Sequence, residues 1–124
     1  MRMQTEPIVE PQIAADQIVL YVEDYATASV TPYEVLLRPI LEDEREIASI
    51  IIRAYSDTVG TSEDNVLQTT RYAEDIRDWF IAEGLASDAI TAIGLGELEL
   101  DIPTEDEVDQ PLNRRVVIEV TYSN

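Results

Sequence analysis

Residues 47–60 read Ile47-Ala48-Ser49-Ile50-Ile51-Ile52-Arg53-Ala54-Tyr55-Ser56-Asp57-Thr58-Val59-Gly60. The Ile50-Ile51-Ile52 run lacks polar alternation, which predicts a strand over Ile47–Tyr55 buried on both faces and covered by helices. Asp57 to Gly60 supplies turn residues. Ser62-Glu63-Asp64 then opens the longest helix, its acids complementing the positive end of the helix dipole. Leu67, Ala73, Ile76, Trp79, Phe80 and Ile81 are its apolar positions, and Gly84 suits the left-handed C′ position.

Outward from this unit the pattern continues. Residues 1–16, with Pro7 and Pro11, read as an extended N-terminal arm that can lie on a neighbour, and residues 17–124 as the domain. Gln17 to Tyr25 contains Ile18-Val19-Leu20-Tyr21-Val22, a β-branched and aromatic run that predicts a strand. Thr31-Pro32-Tyr33-Glu34 predicts a helix start: Thr31 as cap, Pro32 at the first helical position, Glu34 closing a capping box. Val35, Leu36, Ile40 and Leu41 form the predicted apolar face, and Pro39 removes an amide donor, which kinks or shortens the helix. Ile90 to Ile93 reads as a short strand ended by Gly94 and Gly96. Residues 97–112 form an acidic loop with Pro103 and Pro111 near its ends. In the final strand, Arg115 to Tyr122, Val116, Ile118, Val120 and Tyr122 share one face. The order strand, helix, strand, helix, strand, strand predicts an α/β (α+β) two-layer sandwich: a mixed sheet with two main helices on it.

The composition excludes several functions. With 124 residues the chain is one domain's worth of protein. It has no cysteine and no histidine, so disulfides, thiolate metal sites and the commonest general base are all absent. Its eight basic residues are all arginine, against 26 acids, for a formal net charge of −18. Such a surface repels nucleic acid and anionic membranes. The acids are spread along the chain, which favours adaptation to a salty surrounding, as in a halophilic organism, over an acidic face for a basic partner. No segment approaches the ~20 apolar residues that span a bilayer. No cofactor or metal site is indicated: the acidic loop has neither the alternating acids nor the central glycine of an EF-hand, and no carboxylate pair is singled out for hydrolytic work.

A spaced set of residues carries a family likeness. Tyr55-Ser56-Asp57-Thr58-Val59-Gly60, Asn65, Arg71-Tyr72-Ala73, Gly84, Gly94-Leu95-Gly96-Glu97 and Asn113-Arg114-Arg115-Val116 resemble the OmpA-like C-terminal, peptidoglycan-associating domain over roughly residues 17–122. The resemblance implies a β-α-β-α-β-β domain that grips diaminopimelate in the peptide stem of peptidoglycan. The side-chain end of that residue carries both an ammonium and a carboxylate, so its site needs an anion and a cation side by side. In the family these are an aspartate in a threonine-aspartate turn and an arginine on the following helix.

Carried over position by position, the aspartate is Asp57, with Ser56 in place of the threonine. Gly60 is the turn glycine, Asn65 the pocket asparagine and Arg114 a pocket arginine on the last strand. The gripping arginine falls on Tyr72, and a further polar pocket position falls near Ala26. Arg71 is adjacent, but one residue along a helix turns a side chain by roughly 100°. A phenol offers one neutral hydrogen bond, ~1 kcal/mol, against ~1.5–3 for a bond to a charged group. The ligand-binding residues implied are thus Asp57, Asn65, Arg114 and Tyr72, with weakened diaminopimelate binding.

Each of these residues also has a plainer role open to it. Asp57 can cap the turn, Tyr72 can pack as core, and Asn113, Arg114 and Arg115 can tie the last strand to neighbouring carboxylates. Two non-enzymatic functions remain. The first is an anchoring or scaffold domain on peptidoglycan, in the periplasm or cell envelope if a signal or upstream region was removed. The second is a structural subunit, cytoplasmic or in a secreted particle, of a secretion apparatus or a phage-tail-like contractile injection particle, partnered by protein subunits and keeping the fold without the ligand.

Overall fold

The structure, a computed structural model, describes residues 14–123. The strands are β1 (Ala14–Tyr21), β2 (Glu46–Tyr55), β3 (Ile90–Gly96) and β4 (Arg115–Ser123), and the two main helices are α1 (Glu34–Glu42) and α2 (Ser62–Ala82). The strand order is β1-β4-β2-β3. β4 runs antiparallel to both β1 and β2, while β2 and β3 are parallel, with α2 as the crossover. This is the expected mixed sheet with two main helices. β1 begins at Ala14, three residues before the expected start of the domain, and the rest of the expected arm lies outside the described residues.

One face of the sheet meets the helices. Leu20, Ile50, Ile52, Val116, Ile118, Val120 and Tyr122 are buried there against Leu37, Ile40, Ala73, Ile76 and Phe80. β2 is not buried on both faces, contrary to its unbroken isoleucine run. Ile51 and Arg53 point to the opposite side and are only half-buried. Arg53 pairs there with Glu119 at 3.4 Å, while Val19 and Tyr21 are exposed. The helices form a single layer, so every second residue of β2 faces a side that no described element covers.

Two helix expectations also change. Thr31–Tyr33 forms a 3-10 turn ahead of α1, and no side chain caps it, so the capping box does not form. The buried face of α1 is Leu37 and Ile40, with Tyr33 and Leu41 packed against the core, whereas Val35 is 75% exposed and Leu36 also points out. Spacing of 33, 37, 40 and 41 is as helical as the expected set, and a nine-residue helix with Pro39 inside holds only one such face.

On α2 the cap is Thr61, whose side chain accepts from the Asp64 amide at 3.0 Å. Leu67 is 68% exposed, and the buried positions include the polar Asn65 and Thr69 as well as Tyr72. Gly94 explains why α2 sits so close to β3. A Cβ there would lie 2.1 Å from the Thr70 amide nitrogen.

Candidate functional site

A cleft of about 320 Å³ opens where the end of β2, the start of α2, the segment after β1 and the acidic loop converge. Its floor is built from the β2 turn. The Ser56 amide donates to Gly96 O at 2.7 Å, extending the β2–β3 pairing by one bond and aiming the next residue across the strand ends. Gly60 turns the chain with φ +85° and Thr61 starts α2.

Asp57 is buried at this turn. Its Oδ1 accepts from the Val59 amide at 3.2 Å, the short-range bond that aspartate makes in turns. Its Oδ2 accepts from the Gln110 amide at 3.3 Å and from Arg114 Nη1 at 2.5 Å. Arg114 also reaches Asp109 Oδ1 through Nη1 at 2.5 Å and Val22 O through Nε at 3.1 Å. Burial works against the Arg114 charge, but the bonds it donates to Asp109 and Asp57 outweigh it and hold its pKa above the ordinary value. Asn65 is buried on the first turns of α2. Its Nδ2 donates to Val59 O at 2.9 Å and to Glu97 Oε1 at 3.2 Å.

The fold therefore brings Asp57, Asn65 and Arg114 together at one cleft. Tyr72 is placed elsewhere. It is 2% exposed, does not line the cleft, and donates its hydroxyl to Ser29 O at 2.7 Å. Tyr25 lines the cleft, with Tyr72 packed behind it edge-on at 5.7 Å. The Tyr25 hydroxyl donates to Tyr55 O at 2.6 Å. Burial raises the pKa of both phenols well above the ordinary range. Ala26 is exposed and does not line the cleft, whose polar groups from this segment are Glu23 and Asp24.

The acidic loop is stitched over the turn by Thr58. Thr58 Oγ1 donates to Glu105 O at 2.7 Å and accepts from the Val108 amide at 3.0 Å, while Thr58 O accepts from the Glu107 amide at 3.0 Å. At the loop's root the buried Asn113 side chain exchanges two bonds with the backbone of Ile102, at 2.7 and 2.8 Å. Arg115 does not enter the cleft; its guanidinium stacks 4.0 Å over the Tyr55 ring.

Glu23, Asp24, Gln68, Tyr25 and Asp109 were not legible in the sequence as cleft residues. Gln68 had a faint signal, three residues after Asn65 on the same helix face. The others come from loops whose course depends on long-range bonds. Chemically, four carboxylates (Glu23, Asp24, Asp57 and Asp109) face a single guanidinium in this cleft. It suits an ammonium better than a free carboxylate. Among the described residues no three acidic side chains converge to hold a metal ion.

This fold and cleft define a class: an α/β domain with an aspartate turn ahead of its long helix. The chain belongs to the OmpA family, whose model matches residues 34–114. It is similar to outer membrane protein P5 of Haemophilus influenzae, 34% identical over 50 residues, and to outer membrane protein A of Serratia marcescens, 31% identical over 51 residues. Those matches cover 40% and 41% of this chain but only 14% of either relative. Among solved structures it resembles the peptidoglycan-associated lipoprotein of Burkholderia pseudomallei. That likeness has TM-score 0.63 and 26% identity, covering 85% of this chain and 89% of that one. The OmpA-like domain of FopA1 from Francisella tularensis shares the fold at TM-score 0.66 and 17% identity, covering 94% of this chain and 81% of that one. Members of this family are structural and binding proteins rather than enzymes. Among the described residues no helix is long and apolar enough to cross a membrane.

Proposed function

We propose that this domain is a non-enzymatic anchoring module that engages the peptide stem of peptidoglycan, holding the ammonium end of a diamino acid at Asp57. The observation that carries this reading is the buried Asp57 carboxylate at the cleft, fixed by the Val59 and Gln110 amides and flanked by Asn65 and Arg114. A carboxylate already held in place loses little conformational freedom when it receives a cation. The likeness to a peptidoglycan-associated lipoprotein over most of both chains supports the same direction. Tyr72 supplies no charge to the cleft, so the grip on the diamino acid's own carboxylate is the weak half of the site.

The test is sedimentation with purified sacculi and calorimetric titration with the tripeptide L-Ala-γ-D-Glu-diaminopimelate. Retention on sacculi, lost in Asp57→Ala, is the expected result. Equal behaviour of the two proteins would refute it.

A second reading has a specific observation behind it. Tyr72 is core, bonded to Ser29 O, and Arg114 is tied to two carboxylates of its own chain. A domain so arranged also suits a scaffold role within a larger assembly, a secretion apparatus or contractile injection particle among them, where the fold is kept and the ligand is not. Stable complexes with partner subunits in native mass spectrometry, without retention on sacculi, would favour it.

A further inference from the structure

A guanidinium carries five N–H donors in one rigid plane. On Arg114, Nε gives its hydrogen to Val22 O, and Nη1 donates to both Asp57 Oδ2 and Asp109 Oδ1. Among the described residues, only the two hydrogens of Nη2 are left without a partner. A carboxylate is gripped best by two parallel N–H bonds, from Nη1 with Nη2 or from Nε with Nη2. Each of these forks has lost one limb, to Asp109 and Asp57 in one case and to Val22 O in the other.

The two carboxylates on Nη1 are held differently. Asp57 is buried and accepts two backbone amides as well. The Asp109 side chain is 75% exposed, and among the described residues its carboxylate bonds to Arg114 alone. The loop that carries it is fastened a few residues earlier by Glu105, Glu107 and Val108 on Thr58. The loop therefore delivers a free-standing carboxylate to Nη1, beside the open Nη2, where it shares that nitrogen with Asp57.

We propose that Asp109 is a built-in occupant of the anion seat on Arg114, an autoinhibitory contact that makes the cleft select the ammonium of a ligand and ignore a neighbouring carboxylate. This rests on the stem-peptide reading above and names its specificity. A diaminopimelate stem and a lysine stem, which lacks the side-chain carboxylate, bind alike in the native protein. Removing Asp109 frees one Nη1 hydrogen to act beside Nη2, Asp57 keeping the other, and so gives a preference for diaminopimelate.

Two measurements on the whole chain separate this proposal from the reading beneath it. The first follows the Arg114 Nε–H resonance by NMR while acetate is added to the native protein, to Asp109→Ala and to Asp106→Ala. Asp106 is an exposed acid on the same loop with no bond to Arg114, so it controls for bulk charge. The expected result is a saturable shift in Asp109→Ala at about tenfold less acetate than in the native protein, the scale of one charged hydrogen bond, with Asp106→Ala unchanged. An Asp109→Ala response equal to native, or matched by Asp106→Ala, overturns the proposal.

The second titrates native protein and Asp109→Ala with L-Ala-γ-D-Glu-diaminopimelate and with L-Ala-γ-D-Glu-L-Lys. A gain confined to the diaminopimelate peptide supports the selectivity. Equal binding of both peptides by both proteins overturns it and leaves the anchoring reading standing. An acetate response without any peptide binding supports the anion seat and overturns the stem-peptide reading and the selectivity built on it.

Discussion

Tyr72→Arg puts a guanidinium at the position where the resemblance to the OmpA-like pattern implies one, and the change is predicted not to restore ligand binding. Tyr72 is 2% exposed, its hydroxyl bonds to Ser29 O at 2.7 Å, and its ring meets Tyr25 edge-on. The hydrogen bond is worth ~1 kcal/mol, and the aromatic pair contributes ~0.5–1.5 kcal/mol beyond its area. A guanidinium left inside without a partner adds a desolvation penalty of several kcal/mol, reduced to the extent that the long side chain reaches solvent. The change should therefore cost at least ~3 kcal/mol. Tyr72→Phe loses only the hydroxyl, with a cost of about 1 kcal/mol.

Urea unfolding followed by Trp79 fluorescence measures both, and peptide titration shows whether the new cation reaches the cleft. Tyr25 lines the cleft in front of position 72, so no gain in diaminopimelate binding is expected from Tyr72→Arg alone. A variant within about 1 kcal/mol of native stability that binds the peptide roughly tenfold tighter would refute the reasoning, because it would require the guanidinium to pass Tyr25 at no expense.

Gly94→Ala should be severe. The added Cβ lies 2.1 Å from the Thr70 nitrogen and 2.4 Å from its Cα, both backbone atoms, so α2 itself must move from β3. A loss of about 3 kcal/mol or more in urea unfolding is expected, and under 1 kcal/mol would contradict the packing.

Alkaline pH should destabilise the domain. Burial raises the folded-state pKa of Tyr25 and Tyr72 above the ordinary 10.0. The unfolded chain therefore loses these protons first as pH rises, and stability, flat below about pH 9, falls from about pH 10 upward. Tyr72→Phe should lessen that slope, and an unchanged slope would remove Tyr72 from the account. Salt should act the other way. With a net charge of −18, the melting temperature should climb between about 0.01 and 1 M sodium chloride as repulsion is screened, and a flat or falling curve would refute the salt-adapted reading.

Much of the architecture was legible along the chain because its signals are local. The isoleucine run, the alternation of Val116, Ile118, Val120 and Tyr122, and Gly84 at the end of α2 each act within a few residues, and the sheet and helices follow them. Where local signals competed, sequence reading chose wrongly. No side chain caps the Thr31–Tyr33 turn, and on α1 Ile40 and Leu41 pack on the core as expected while Leu37 takes the place expected of Val35 and Leu36.

The sequence by itself determined the element order and the acidic composition, with arginine as its only basic residue. Tertiary structure alone decided that Arg114 pairs with Asp57 and Asp109, that Tyr25 lines the cleft with Tyr72 packed against it, and that among the described residues no element covers the second side of the sheet. The reason is range. Periodicity and turn chemistry operate over a handful of residues, whereas Asp57 and Arg114 are brought together by bonds and packing between segments that no local pattern encodes.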